Sequence, residues 1–132
     1  MREDASMSSP FLDRPASDRI AENALAFAIA DGFPVSPGHT LVVPKRLVAT
    51  WFEATAQEKL AIVELIDVVK EQLEERFHPD GWNVGWNSGE AAGQTVAHLH
   101  VHVIPRFRGD VPDPRGGVRW VMPGKAAYWK PA

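Results

Sequence analysis

The sequence contains no cysteine, which excludes disulfide frameworks, thiol nucleophiles and every zinc site with a cysteine ligand. It has no apolar run near the roughly 20 residues of a membrane-spanning helix, and its first residues lack the apolar core of a signal peptide. Basic residues are not in excess, because 14 Lys and Arg accompany 17 Asp and Glu, whereas non-specific nucleic-acid binding needs a basic face. We therefore expect a cytoplasmic protein with neither a membrane nor a nucleic acid as its partner.

The length of 132 residues suits one compact domain. Residues 1–16 are polar and predict a flexible leader, in which Phe11 and Leu12 are apolar side chains able to dock on the body of the protein. We expect the folded domain to cover residues 17–110. A C-terminal tail over residues 111–132 is expected to pack on that domain.

The spacing of apolar residues predicts the secondary structure. The clearest element is a helix from residue 56 to about residue 76, because Thr55-x-x-Glu58 is a capping-box pattern. Apolar residues recur behind it at helical spacing, namely Leu60, Val63, Ile66, Val69, Leu73 and Phe77. A short helix is expected over 18–23, and strands are expected over 24–30, 39–43, 82–86 and 96–104. Several strands with one long helix predict an α+β protein with an antiparallel sheet.

Three of the five histidines lie in the last predicted strand. Successive side chains of a strand point to opposite faces, so one face carries His98, His100 and His102, and the other carries Leu99, Val101 and Val103. The apolar face suits packing under the long helix. The histidine face does not suit a core, because three buried imidazoles would need three sets of polar partners. This pattern predicts a strand that displays imidazoles.

The displayed imidazoles have three interpretations. Same-face neighbours lie roughly 6.6–6.8 Å apart, so an adjacent pair could bind zinc or a similar ion, with His39 as a further ligand. Alternatively, neutral imidazole is a nucleophile and imidazolium donates to phosphate oxygens. The third interpretation is a surface strand that is rich in histidine without a function. The loop from Asn87 to Thr95 weakens it, because glycines and small residues there let an anion approach the backbone.

Residues 93–106 resemble the histidine triad motif, in which three histidines alternate with apolar residues. Residues 33–46 are similar to the second typical segment of the same superfamily, and the order and separation of the two blocks fit. The resemblance covers residues from about 11 to 110. It is closest to the dinucleoside polyphosphate hydrolase branch, the fragile histidine triad-like proteins, because residues 105–110 match that branch. Asn87, in contrast, is closer to the phosphoramidase branch.

The resemblance implies a HIT-like fold, with a five-stranded antiparallel sheet and helices, in homodimers that extend the sheet. It also implies hydrolase or transferase chemistry on the α-phosphate of a nucleotide. His100 would be the nucleophile, and His102 would contact the phosphate or the leaving oxygen. His98 would orient the centre, and His39 would support it from a neighbouring strand. No cofactor is required for this chemistry, and Mg²⁺ is an optional companion of a polyphosphate substrate.

The resemblance further implies six substrate-binding residues, which are Asp31, Ile29, Asn87, Gln94, Thr95 and Phe11. Asp31 matches a position that binds ribose hydroxyls, and Ile29 and Phe11 match positions that line the base pocket. Asn87 and Thr95 match positions that contact phosphate and the bridging atom, with Gln94 beside them. Simpler interpretations are a turn residue for Asp31 and a strand former for Thr95.

We therefore expect a histidine triad hydrolase that cleaves a nucleoside phosphoanhydride, such as diadenosine tetraphosphate, through a nucleotidyl-histidine intermediate. The alternatives are an adenosine phosphoramidate hydrolase of the same superfamily and a non-catalytic nucleotide- or metal-binding module. No metal-ligand set is assigned. A local concentration of arginines could meet a polyphosphate tail or remain in solvent; these are Arg106, Arg108, Arg115 and Arg119.

Overall fold

The computed structural model describes residues 9–131, so the first eight residues of the predicted leader lie outside the described residues. One five-stranded sheet has the order β1-β2-β3-β5-β4, and every neighbouring pair is antiparallel. Its strands are β1 (Ala21–Glu22), β2 (Ala26–Ala30), β3 (Thr40–Pro44), β4 (Gly81–Gly85) and β5 (Val101–Arg106), and its α-helices are α1 (Ala56–Phe77) and α2 (Pro123–Ala126). The predicted α+β class with about five antiparallel strands is confirmed.

Helix α1 begins where the capping box predicted. The Thr55 hydroxyl accepts a hydrogen bond from the Glu58 N–H at 3.0 Å, and the Glu58 carboxylate accepts one from the Thr55 N–H at 2.9 Å. The helix ends at Phe77, and His78 follows it in the left-handed conformation with φ of 52°. This termination fits a residue at C′ that releases the chain from helical geometry.

The buried face of α1 agrees with the predicted apolar repeat in its later turns and differs from it in the first turns. Leu60 and Val63, which the periodicity placed inside, are 58% and 48% exposed. The buried residues are Glu58, Ala61, Ile62, Leu65, Val69 and Leu73. Val69 and Leu73 belong to the predicted repeat, and two other members of it, Ile66 and Phe77, pack against the core. Glu58 is buried and pairs with Arg46 at 2.7 Å. Leu60 and Val63 face outward although they are apolar.

The predicted helix over 18–23 is not formed. The chain makes a short 3₁₀ helix at Ala16–Asp18 and then enters strand β1. A tight turn joins β1 to β2, because the side-chain oxygen of Asn23 accepts hydrogen bonds from the N–H groups of Leu25 and Ala26. The predicted strand over 24–30 is thus shortened at its start and gains a hairpin partner.

The predicted strand over 96–104 is also shortened, because β5 begins only at Val101. Before it, the Leu99 N–H donates to the Val48 carbonyl at 2.8 Å, and the His98 carbonyl is used by a side chain. The alternation of side chains nevertheless continues through this segment. Leu99, Val101 and Val103 all belong to the core under α1, as predicted.

Both faces of the sheet carry buried apolar residues. One face packs against α1 through Val42, Val101 and residues around them. On the other face, a second cluster contains Phe27, Ile29, Leu41 and Val43, and Phe11 and Leu12 pack against it. Leu41 pairs with His102 across β3 and β5, so the histidines share this second face. No helix within the described range 9–131 is both long and apolar enough to cross a membrane.

Candidate active site

A cavity of about 570 Å³ opens on the second face of the sheet, over the histidines. Seven of the ten predicted site residues line it, namely Phe11, Asp31, His39, Asn87, Thr95, His100 and His102. The structure therefore brings together residues from the N-terminal turn, the connection between β2 and β3, the loop between β4 and β5, and strand β5 with the residue before it. We call this cavity the histidine pocket.

His98 lies beneath the pocket and is completely buried. Its Nε2 lies 2.8 Å from the Pro44 carbonyl, which can only accept, so Nε2 carries the proton. Its Nδ1 then accepts from the Ser9 hydroxyl at 2.7 Å. Burial lowers the pKa of His98 below its usual value, which keeps the ring neutral. With both nitrogens engaged, His98 fixes the backbone under the pocket and has no atom free for a substrate.

His100 has the opposite arrangement. Its Nδ1 donates to the His98 carbonyl at 2.7 Å, because a carbonyl oxygen can only accept. In the neutral ring the lone pair is therefore on Nε2, and His100 lines the cavity. The Phe11 ring packs against this imidazole, with 4.9 Å between the ring centroids. The geometry leaves an oriented, unprotonated nitrogen next to the pocket.

His102 receives its tautomer from His39. The Val35 N–H donates to His39 Nδ1 at 3.1 Å, so the neutral His39 ring carries its proton on Nε2. That Nε2 donates to His102 Nδ1 at 2.9 Å, and His102 therefore presents an N–H at Nε2. Burial, with the neighbouring His100 and His39 rings, lowers the pKa of His102 to about 4. Burial likewise lowers the pKa of His39.

Asp31 contacts the same pair of histidines. Its Oδ2 lies 3.3 Å from His39 Nε2 and 3.9 Å from His102 Nδ1. Its Oδ1 accepts from the Phe33 N–H at 2.7 Å, which is the turn contact that the simpler interpretation expected. Asp31 also lines the histidine pocket. The same residue therefore makes the turn contact and faces the pocket.

Asp31, His39 and His102 could also hold a metal by distance alone, since their ligand atoms lie within 4.8 Å of one another. The hydrogen bonding opposes this. A histidine that binds a metal through Nε2 carries its proton on Nδ1 and donates it to an acceptor. Here the Val35 N–H points at His39 Nδ1, so a metal on Nε2 would bring two donors face to face. The donor set does not fit a metal without a change in this loop.

Three predicted site residues do not line the pocket. The first is His98. The second is Ile29, which is buried in the apolar cluster on the second face of the sheet. Gln94 uses its amide for backbone groups, because Oε1 accepts from the Gly89 N–H and Nε2 donates to the carbonyls of Val96 in the same loop and of Ala49 in the segment after β3. Gln94 therefore fixes the shape of the loop rather than offering its amide to a ligand.

Eight further residues line the pocket that were not among the predicted site residues, and two of them, Arg14 and Val35, make polar contacts there. Arg14 belongs to the predicted leader, yet it lines the cavity and donates to the Ala30 carbonyl. Val35 contributes the backbone N–H that sets the tautomer of His39, and a main-chain group leaves no trace in side-chain patterns. Only the position of Val35 four residues before His39 could have suggested this contact.

None of the four arginines predicted as a polyphosphate contact lines the histidine pocket. Arg106 pairs with Asp110 at 2.7 Å, and Arg108 is a mostly exposed side chain near Asp80. Arg115 and Arg119 stack over aromatic rings of the C-terminal segment. Arg106, Arg115 and Arg119 thus have partners within the protein, and Arg108 lies in solvent, so a contact of these arginines with a polyphosphate remains a prediction.

The fold and this pocket agree with comparisons to known proteins. The family model of the HIT domain matches residues 14–109, and the chain belongs to the HIT family. Membership confirms the resemblance first seen in residues 93–106.

Two of the similar proteins carry names that state an activity. The AP-4-A phosphorylase of Mycobacterium tuberculosis is 37% identical over 112 residues, which cover 80% of this chain and 57% of that protein. The bis(5'-adenosyl)-triphosphatase of Dictyostelium discoideum is 40% identical over 86 residues, 65% of this chain and 58% of that one. The chain thus spans less than two thirds of these curated relatives. A solved structure of a Zn-bound histidine triad family protein from Mycobacterium smegmatis is 32% identical, with 95% of this chain and 97% of that chain covered and a TM-score of 0.71.

Proposed function

We propose that the protein hydrolyses a nucleoside phosphoanhydride, most simply a dinucleoside polyphosphate such as diadenosine tetraphosphate. The observation that carries the proposal is the pair of opposite tautomers in the pocket. His100 offers a lone pair on Nε2 because its Nδ1–H is held by the His98 carbonyl. His102 offers an N–H on Nε2 because its Nδ1 accepts from His39. A nucleophile beside a hydrogen-bond donor suits attack on a phosphoryl group.

In the first step, His100 Nε2 forms a bond to the α-phosphorus, and the bond from phosphorus to the bridging oxygen breaks. The electron pair of that bond leaves with the polyphosphate. The His100 ring becomes a nucleotidyl-imidazolium, and its retained Nδ1–H still donates to the His98 carbonyl, which stabilises the positive charge. His102 donates from Nε2 to an oxygen of the transferring group, while Asn87 and Thr95 contact the phosphate.

In the second step, water attacks the same phosphorus and the bond between phosphorus and nitrogen breaks. The electron pair returns to His100 Nε2, the nucleoside monophosphate is released, and the proton from water passes to solvent. The ring regains its starting tautomer, because Nδ1–H never moved. In this proposal Phe11 contacts the base and Asp31 accepts from ribose hydroxyls, since both residues line the pocket.

The state of His102 favours an anhydride over a phosphoramidate. A phosphate leaving group has a second pKa of about 6 and departs as an anion near neutral pH. A lysine amine has a pKa of about 10.4 and needs a proton in order to leave. Because burial and neighbouring rings lower the pKa of His102 to about 4, His102 is a donor of a hydrogen bond rather than a strong source of protons at pH 7.

A HIT relative named as a phosphorylase supports a second candidate for the final acceptor. Inorganic phosphate in place of water would open the nucleotidyl-His100 intermediate and release a nucleoside diphosphate. We propose water as the acceptor and Mg²⁺, where it is needed, as a companion of the polyphosphate. The products separate the two candidates: diadenosine tetraphosphate gives AMP and ATP with water, and ADP and ATP with phosphate.

His100→Asn tests the proposal. We expect kcat/KM for diadenosine tetraphosphate to fall by at least about a thousandfold, because the nucleophile is lost, while the nucleotide still binds. The matched control is His78→Asn, which changes an exposed histidine at the end of α1 and should leave turnover unchanged. Turnover in His100→Asn close to that of the wild type contradicts the covalent mechanism. Faster turnover of adenosine phosphoramidate than of diadenosine tetraphosphate favours the rival substrate class.

A further inference from the structure

A second cavity lies on the same face of the sheet as the histidine pocket. Its volume is about 360 Å³, and its floor contains Asn83, Ile104 and Arg106. Asn83 pairs with Ile104 across β4 and β5, and Ile104 follows His102 by two residues. Same-face neighbours in a strand lie roughly 6.6–6.8 Å apart. The second cavity is therefore the next position along the strands beyond His102.

The two cavities are adjacent, and the surface between them is open. Val35 lines both of them. Gly85 of the edge strand β4 pairs with His102 of β5. A Cβ atom added to Gly85 would meet no atom within 4 Å. The sheet surface beside His102 is therefore open on this side, where a chain of phosphates could pass from one cavity to the other.

The walls of the second cavity suit an uncharged aromatic group. Three valines line it and expose much of their side chains, with Val35 at 71%, Val111 at 40% and Val118 at 68%. The charged groups neutralise each other, because Arg106 donates twice to Asp110 at 2.7 and 2.8 Å. An apolar, charge-neutral slot discriminates against a phosphate and favours a base.

Asn83 supplies a polar anchor in this slot. Its Oδ1 accepts from Arg106 at 2.7 Å, which fixes the orientation of the amide. The Asn83 Nδ2 lies next to Gly117, and the structure gives it no hydrogen-bond partner within the described range 9–131. A donor at a fixed position can pair with a ring nitrogen or carbonyl of a nucleobase.

We propose that the second cavity binds the base of the second nucleoside of a dinucleoside polyphosphate. The proposal rests on the function proposed above and names how the leaving half of that substrate is recognised. Val111, Gly117 and Val118 lie after residue 109, where the match to the HIT domain ends. The C-terminal segment thus adds a specificity site for substrates with two bases.

The test compares diadenosine tetraphosphate with adenosine 5'-tetraphosphate, which has the same scissile bond and no second base. We expect kcat/KM of the wild type to be about tenfold higher for the two-base substrate. Val118→Asp places a charge in the apolar slot, and we expect the ratio of the two kcat/KM values to fall about tenfold. Val111→Asp should have the same effect from the other wall.

Val121→Asp is the matched control, because Val121 lies in the same short 3₁₀ helix, Gly117–Val121, and is 78% exposed without lining either cavity. It should leave the ratio unchanged. An unchanged ratio in Val118→Asp and Val111→Asp, with both substrates cleaved, refutes the second-base site alone. Wild-type protein that cleaves neither substrate refutes the proposed function and the second-base site with it.

Discussion

The three histidines of the triad are chemically identical in the sequence, and their partners make them different. A carbonyl oxygen accepts a hydrogen bond from Nε2–H of His98, and another carbonyl oxygen accepts one from Nδ1–H of His100. A backbone N–H, acting through His39, sets the tautomer of His102. Because a neutral imidazole has one donor and one acceptor nitrogen, each of these contacts decides which nitrogen remains for the substrate.

The low pKa of His102 makes the stability of the protein depend on pH. The pKa is about 4 in the folded protein and about 6.5 in an unfolded chain, so between these values only the unfolded state binds the proton. Stability from this residue is therefore complete above pH 6.5 and is lost as the pH falls toward 4. We expect about 2 kcal/mol from this effect, since the side chain is partly exposed.

Urea unfolding of the wild type and of His102→Asn at pH 4.5 and pH 7 measures this effect. The stability difference between the two proteins should be larger at pH 7 than at pH 4.5 by roughly that amount. His78→Asn serves as the control, because His78 is exposed. This substitution should change the free energy of unfolding by the same amount at both pH values. A stability difference for His102→Asn that is constant with pH would show that the ring is not held neutral.

Among elements, α1 depends on a charge as well as on its apolar face. Glu58 caps the helix and accepts two hydrogen bonds from Arg46, at 2.7 and 3.0 Å. These hydrogen bonds from Arg46 are the main cause that lowers the pKa of Glu58 to about 2, although burial of the carboxylate acts to raise it. The carboxylate therefore stabilises the fold above its ordinary pKa, and this contribution is lost as the pH falls toward 2.

Glu58→Gln keeps the size and the capping oxygen and removes the charge. We expect a loss of about 1–3 kcal/mol in the free energy of unfolding at pH 7, because an ion pair with a buried partner is broken. The loss should shrink as the pH is lowered toward 2, where Glu58 itself becomes protonated. Glu64→Gln on the exposed side of the same helix should cost less than about 0.5 kcal/mol. Equal losses in the two variants, measured by urea unfolding, would contradict this role of Glu58.

The elements also show what the sequence can predict. The capping box located the start of α1, and period-2 alternation identified the buried side of the segment that contains Leu99 and Val101. The apolar repeat identified Val69 and Leu73 as buried but placed Leu60 and Val63 wrongly, since apolar residues lie on more than one side of the first turns, where Glu58 is buried and pairs with Arg46, a residue outside the helix. The start of β5 was missed because side-chain and loop hydrogen bonds replace the ladder there.

In the candidate site, too, local patterns were predictable and contacts between distant residues were not. The pattern of histidines located the pocket, and the resemblance supplied Asp31, Asn87 and Thr95, which line it. Gln94 was assigned to the substrate although its amide is fully used by backbone groups. Arg14 was missed, because its place depends on how the N-terminal turn folds over the sheet. Long-range contacts of this kind have no periodicity and no local motif.

At the scale of the whole molecule, the sheet ends on an unpaired strand. Within the described residues, β4 pairs with β5 and with no other strand, so its outer N–H and C=O groups are available to a further strand. Val84 on this strand is 44% exposed, and Trp86 beyond it is 38% exposed. The histidine triad resemblance implies homodimers that extend the sheet, and we propose that β4 pairs antiparallel with β4 of a second copy.

Val84→Lys tests this assembly. A two-fold interface presents the same patch of both copies to each other, so lysine at position 84 would place two positive charges in an interface formed by strands of five residues. We expect sedimentation of the wild type at twice the 14.6 kDa chain mass and of Val84→Lys at the chain mass. Val121→Lys, at an exposed valine far along the chain, should remain dimeric. A wild type that sediments as a single chain refutes the β4 interface, and a dimer that survives Val84→Lys places the interface on another surface.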